Sequence, residues 1–296
     1  MDSTQSRWCS ASPTNAPASG RNGQASLRRR PRSARIGYGS TRTSRHDDPR
    51  LVAFARESRA IWQEWEERLG VELVSPDGVV ALGPSVADRL AVLEQVDGVR
   101  ASSIDAEELA RRLPVLAGYS GPAMLDEGGG AIRTRAAIEA LTAKLGDSLV
   151  ADEVISIRPT ASGTVEVRTG GECSEHDRIV VCAGRGTARL ARAAHEDGSL
   201  LDPSSLASLG ERASHYVARA LPGLHPEPVA YRHCWVTDLP WSTDGIAVWE
   251  SEGAFFVAGH NLFKHAPWLG RALARAALGD GLACELRPAA RLGEPS

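Results

Sequence analysis

The sequence predicts an α/β protein with a mixed sheet. Three observations lead there. Strand-like and helix-like segments alternate along the 296 residues with no internal repeat. Segment DRIVVCAGRGT runs four apolar residues into a glycine turn, the pattern of a parallel strand meeting a helix. Composition is ordinary for a globular chain, with 42% hydrophobic and 24% charged residues. A net charge of -3 speaks against a general nucleic-acid binder, and no stretch has the roughly 18 apolar residues of a membrane span.

Residues 1–33 are rich in Ser, Arg, Pro and Gly without apolar periodicity, which predicts a disordered, solvated tail. The Arg28-Arg29-Arg30 run precedes no apolar segment, so it is no secretory signal; a basic localisation patch is the other reading. From Pro49 to Gly70 an amphipathic helix is expected, its apolar face built from Leu51, Phe54, Ala55, Ser58, Ile61, Trp62, Trp65 and Leu69, with Gly70 as C-cap. VELVSPDGVVALG reads as two short strands around a Pro-Asp-Gly turn. Val86 to Val96 is helical, and Ser103 opens a further helix that stops before Pro114.

After MLDEGGGAIR comes a helix from Thr134 to Leu145, then strands in VADEVISIRP and GTVEVRTG. DRIVVCAGRGTARL follows as a buried strand breaking at Gly184 into a helix, with both strand faces expected to be covered. Residues 191–231 are helix and loop. The last block holds strands RHCWVT, GIAVWE and AFFVAG and a helix from Ala266 to Leu278.

Gly184 and Gly186 permit positive φ and close backbone approach at a strand's C-terminal end, where open α/β sheets bind ligands. A plain strand-to-helix turn accounts for them equally well. Gly128-Gly129-Gly130 reads first as a turn and second as a phosphate cradle. Gly37-Tyr38-Gly39 follows no strand, and a full G-x-G-x-x-G occurs nowhere. Cys173 with His176, and His260 with His265, have pair-like spacings but no second pair, so no metal site is expected. G-x-S-x-G is absent. The five scattered cysteines, with no C-x-x-C, fit a reducing, cytoplasmic setting. Trp235, Trp241, Trp249 and Trp268 crowd the C-terminal block, and core packing is their expected role.

Several segments together resemble one family, the FAD-dependent amine oxidases of the D-amino-acid oxidase superfamily, nearest the monomeric sarcosine oxidase and N-methyl amino-acid oxidase branch. Gly39 to His46 resembles its G-x-T-R-x-x-R-H segment, Glu127 to Ala131 its E-x-x-G turn, and Asp177 to Gly184 its D-x-V-V-x-A-G strand. Cys234-Trp235-Val236-Thr237-Asp238-Leu239-Pro240 resembles the C-x-x-T-x-x-P stretch whose cysteine joins the flavin in several members. FFVAGHNLFKHAPWL resembles the closing strand and F-K-x-x-P helix start.

This resemblance implies an FAD/NAD(P)-binding Rossmann-like domain, incomplete here, with a smaller α+β substrate domain. The flavin-binding part would comprise residues 34–50, 122–190 and 232–287, and the substrate cap residues 51–121 and 191–231. FAD would be the cofactor, held by Thr41, Gly184, Cys234, Gly259, Asn261, Phe263 and Lys264. Arg42, Arg45 and Lys264 would be catalytic. The arginines would clamp a substrate carboxylate, and the lysine, one of two in the chain, would place charge beside the ring. On spacing alone Arg42 and Arg45 read first as solvated surface residues, and it is the resemblance that favours the clamp. The implied activity is oxidation of a small-molecule amine or amino acid at its C–N bond with oxygen as acceptor. Against it stand the absent G-x-G-x-x-G and a lysine-free stretch over 187–233, which give the alternative of a truncated, flavin-free, non-catalytic or partner-binding chain.

Overall fold

The computed structural model describes residues 48–191, 203–221, 223–230, 237 and 239–294. The first long helix, α1 (Pro49–Leu69), forms where the periodicity predicts it. Pro49 pre-sets φ at the first turn, Asp48 caps it by accepting from the Arg50 N–H, and Gly70 ends it in the left-handed region at φ 65°. Its buried face organises the molecule. Leu51 joins one apolar cluster with Ile246, Phe255 and Leu273. Val52 joins another with Val86, Leu93 and Met124. Trp62 joins a third with Leu73, Val74 and Ile132.

Three three-stranded sheets follow. The first has order β1-β3-β2, all antiparallel, from β1 (Val79–Leu82), β2 (Ala101–Ile104) and β3 (Ala123–Asp126). All four β3 residues are buried, as a central strand requires. Helices α2 (Val86–Leu93) and α3 (Ala106–Arg112) flank it in sequence. The strand expected over residues 71–75 does not form. Glu66 Oε1 accepts from both the Leu73 and Val74 N–H groups at 2.8 Å, so the helix carboxylate takes donors a strand partner would need. Only an isolated bridge, Val74 to Ile132, remains. The helix expected from Ser103 starts at Ala106, because the Asp105 carboxylate accepts from Glu108 N and caps it there, while Ser103 and Ile104 go to β2. Helix α2 ends at Leu93, three residues short of the expected Val96; the next residues are held by turn bonds.

Helix α4 (Thr134–Leu145) matches the expectation to the residue. The second sheet, β4-β5-β6, is an antiparallel meander of β4 (Val154–Pro159), β5 (Val165–Thr169) and β6 (Cys173–His176). β6 was not anticipated: its sequence CSEH has no apolar alternation to announce a strand.

The third sheet carries the parallel pairing. β7 (Ile179–Val181) lies parallel to β9 (Ala254–Gly259), and β8 (Ile246–Ser251) antiparallel to β9, in order β7-β9-β8. The expected central strand is therefore an edge strand among the described residues. Its Ile179 and Val180 are half-buried and Val181 alone is buried, because one side of β7 has no strand there to cover it. Short α5 (Thr187–Leu190) follows β7, and α6 (Pro203–Ala220) precedes β8. Helix α7 (Ala266–Arg275) packs along α1, then loosens through a π-type turn over Ala276–Asp280. Expected strand RHCWVT spans residues 232–237, of which only 237 is described. Trp249, expected in the core, is 41% exposed on β8. Antiparallel pairing turns it outward while its neighbour Val248 is fully buried. No helix among the described residues is long and apolar enough to cross a membrane.

Candidate functional site

The parallel pairing of β7 with β9 aims the two strands' C-terminal ends at one edge of the sheet. Val181 is level with Phe256, and the chain turns at glycine three residues beyond each, at Gly184 and Gly259. Gly184 has φ 55°, and a Cβ built on it would meet nothing within 4 Å. Its turn leads into α5, whose first residue, Thr187, has a buried hydroxyl without a hydrogen-bond partner. At Gly259 the opposite holds. A Cβ would stand 2.6 Å from the Gly245 carbonyl oxygen and 2.9 Å from Leu262 Cδ2. Only hydrogen lets this turn fold so tightly onto the preceding loop.

Asn261 adopts the left-handed conformation at φ 55° and its Nδ2 donates to Asp244 Oδ1 at 2.6 Å. Next comes the 3₁₀ turn Leu262–His265, running directly into α7. Phe263 stacks on Trp62 with ring centroids 5.8 Å apart. Lys264 is 5% exposed and His265 1%. Burial, with the Lys264 charge beside it, holds the His265 imidazole down at about 3, so it is neutral at physiological pH. Burying an ammonium is costly unless it is bonded, so Lys264 is held in this turn by polar interaction as well as by packing.

Of the residues expected at the site, Gly259, Asn261, Phe263 and Lys264 stand together along one short path of chain, and Gly184 leaves the same sheet edge on the neighbouring strand. Thr41, Arg42, Arg45 and Cys234 lie outside the described residues, as does Trp235. Gly128 and Gly129 close a side-chain turn, both donating N–H to Asp126 Oδ1 at 3.1 Å, and the close approach of Gly130 to the Ser75 carbonyl leaves no room there for a Cβ. That run is the structural turn rather than a phosphate cradle. Cys173 and His176, three residues apart on β6, fall on opposite faces of the strand. Among the described residues no three His, Cys, Asp or Glu side chains gather as a metal site. Sequence reasoning missed Asp244, which fixes Asn261, and the role of Ser58 and Trp62 beside this turn. Their four-residue spacing on α1 was the available signal.

A flavin fits what is present. The Gly184 turn leaves open space against the backbone, the Thr187 hydroxyl is buried with no partner among the described residues, and Lys264 would supply positive charge toward an electron-rich ring.

The sequence matches the family described as FAD dependent oxidoreductase (DAO) over residues 15–206. No curated protein sequence matches. Among solved structures, NikD, an unusual amino acid oxidase essential for nikkomycin biosynthesis, is similar in its open form. It has a TM-score of 0.66 and 17% identity, with 85% of this chain and 84% of that one covered. Glycine oxidase from Geobacillus kaustophilus has a TM-score of 0.60 at 17% identity, covering 88% and 89%. L-proline dehydrogenase from P. horikoshii has a TM-score of 0.64 at 15% identity, covering 84% and 86%. At these identities the structures report a shared fold, whereas the family match extends over more than half of the sequence. The chain belongs to the DAO family of FAD-dependent oxidoreductases.

Proposed function

We infer that this chain oxidises the C–N bond of a small amino acid or secondary amine, with oxygen as the final acceptor. The observation that carries the reading is the buried Lys264, set in the turn after Gly259 at the C-terminal edge of the parallel β7–β9 pair. Bound FAD would accept the hydride as the amine becomes an imine, which water then hydrolyses. Gly184, Gly259, Asn261 and Phe263 would shape the wall against which it lies, with Thr41 and Cys234 as further contacts. The Lys264 ammonium would stabilise negative charge on the reduced ring. Neutral His265 behind it adds no second charge at neutral pH, so Lys264 would be the principal cation on this wall. Arg42 and Arg45 would receive the substrate carboxylate as planar forks.

Solved neighbours named as an amino acid oxidase, a glycine oxidase and a proline dehydrogenase support a substrate of this size and charge. Free thiols at Cys173, Cys182 and Cys284 support a reducing, cytoplasmic setting. The test is a flavin titration of the full chain followed by anaerobic mixing with glycine, sarcosine, proline and N-methyl amino acids. The expected result is a yellow complex bleached by at least one of them and recoloured by air. A chain that stays colourless after FAD addition overturns the reading and leaves the non-catalytic alternative.

A further inference from the structure

Lys264 and His265 sit in a 3₁₀ turn that passes into α7, and α7 has no cap of its own: its N-cap residue, His265, makes no side-chain cap bond. Helix α1 supplies what is missing. Phe54, Ser58 and Trp62, spaced by four, form one ridge along α1. Ser58 is fully buried, and its Oγ accepts from Trp268 N at 3.4 Å. Trp268 is the third residue of α7, so its N–H is one of those a helix cannot satisfy internally. Phe54 stacks on the Trp268 ring at 3.7 Å and 16°. Trp62, 1% exposed, stacks on Phe263 at 5.8 Å and 18°. The ridge thus grips the chain on both sides of Lys264, one residue before it and four after.

We propose that Phe54, Ser58 and Trp62 are positioning residues for Lys264, with Ser58 acting as an N-cap lent to α7 from α1. The proposal rests on the reading of Lys264 as the cation beside the flavin and adds how that cation is held. An apolar residue would fill the Ser58 position as well for packing. A hydroxyl at a site with no solvent exposure is costly unless it bonds, and its bond here goes to the helix that follows Lys264. The paired stacks at Phe263 and Trp268 then fix the turn's path on both sides of Lys264.

The chain's two lysines make the test simple, since Lys144 is exposed on α4 and Lys264 is buried. Reductive methylation of the full chain without FAD, read by peptide mass spectrometry, should modify Lys144 readily and Lys264 slowly. Ser58→Ala and Trp62→Leu should each speed Lys264 modification about fivefold, the size expected when a lost cap or stack eases a local opening, with Lys144 unchanged. Trp62→Phe, which keeps the stack, should stay within about twofold of wild type. Val154→Ala, in the cluster that joins β4 and β5 to β7 and contains no α1 or α7 residue, serves as a control for general destabilisation. Unchanged Lys264 labelling in Ser58→Ala, or an equal rise in Val154→Ala at matched melting temperature, overturns the proposal. Ser58→Ala removes one oxygen and decides the matter even where Trp62→Leu does not fold. Because the labelling uses no flavin, a failure of FAD to bind would remove the functional reading without altering this result.

Discussion

Gly184 and Gly259 leave parallel strands on the same sheet edge, each three residues past the level pair Val181 and Phe256, yet they are glycine for opposite reasons. Gly184 faces open space in a left-handed conformation, whereas Gly259 is pressed against the Gly245 carbonyl. One glycine supplies a left-handed turn with open space beside it, and the other lets the chain pack on itself.

Alanine at these two positions should therefore separate folding from binding. Gly259→Ala brings a Cβ to 2.6 Å from backbone oxygen, and overpacking of this kind should cost about 1–3 kcal/mol, read as a lower melting temperature. Gly184→Ala meets no atom but pays left-handed strain of about 1–2 kcal/mol. Its larger effect should be on flavin titration, with affinity reduced about tenfold if the methyl enters the cofactor's space, a change that strain alone does not produce. Equal melting losses with equal flavin affinities would remove the distinction.

Asp48 closes the molecule by joining its helix start to the last described segment. The carboxylate is 3% exposed, accepts from Arg50 N at 2.8 Å through Oδ1, and accepts from Gly293 N at 2.8 Å through Oδ2. Asp48→Ala removes the cap and orphans a buried N–H together, for an expected loss of about 2–4 kcal/mol in urea unfolding. Asp48→Asn can cap α1 but has only one oxygen for the two N–H groups, so it should recover part of the loss.

Much of this architecture was legible because local signals agreed with the global fold. The α1 stripe, the Thr134 to Leu145 helix and the AFFVAG strand carry period, cap and length in one place. What was not legible depended on partners distant in sequence. Residues 71–75 look like a strand, but Glu66 reaches across from α1 to take the Leu73 and Val74 N–H groups. DRIVVCAG looks central because it is apolar, yet how many neighbours a strand has is a property of topology. The run from Gly259 to Lys264 was singled out through family resemblance, and the structure shows it as one tight glycine turn entering α7. The Ser58 bond to α7 was not legible, since a buried serine on a helix face reads as a small filler until its acceptor finds the other helix.

Glu66 and Arg59 should respond very unequally to removal. The Glu66 carboxylate serves two buried N–H groups, so Glu66→Ala should cost about 2–4 kcal/mol while Glu66→Gln, which keeps an acceptor oxygen, costs far less. Arg59 is 17% exposed, lies 3.8 Å from Glu66, and has one guanidinium nitrogen buried without a hydrogen bond. Burial lowers its pKa, so the site is a poor one for a charge. Arg59→Met should leave stability within about 1 kcal/mol of wild type or raise it, because the desolvation of a loosely paired cation is relieved. A large loss on Arg59→Met, measured by chemical denaturation, would show that the ion pair is stabilising after all.

The acid sensitivity of the fold should trace in part to His265. In the unfolded chain its imidazole titrates near 6.5, while burial and the adjacent Lys264 charge hold it at about 3 in the folded protein. The folded state needs the neutral ring, so the stability this residue contributes is complete above pH 6.5 and declines as pH falls from there toward 3. Across that window the unfolded chain binds a proton the folded one refuses, giving a slope of up to about 1.4 kcal/mol per pH unit. Between pH 6.5 and 5, before most carboxylates titrate, the loss should approach about 2 kcal/mol. His265→Gln should be less stable at pH 7, having lost a packed ring, but its stability should be nearly flat over the same interval. Lys264→Met should leave the slope between pH 7 and 5 nearly unchanged and only shorten the window at its acid end, because it removes the smaller of the two causes and leaves burial in place. Unfolding free energies of the three proteins at pH 7, 6 and 5 settle the point, and a wild-type slope identical to that of His265→Gln would place the acid sensitivity elsewhere.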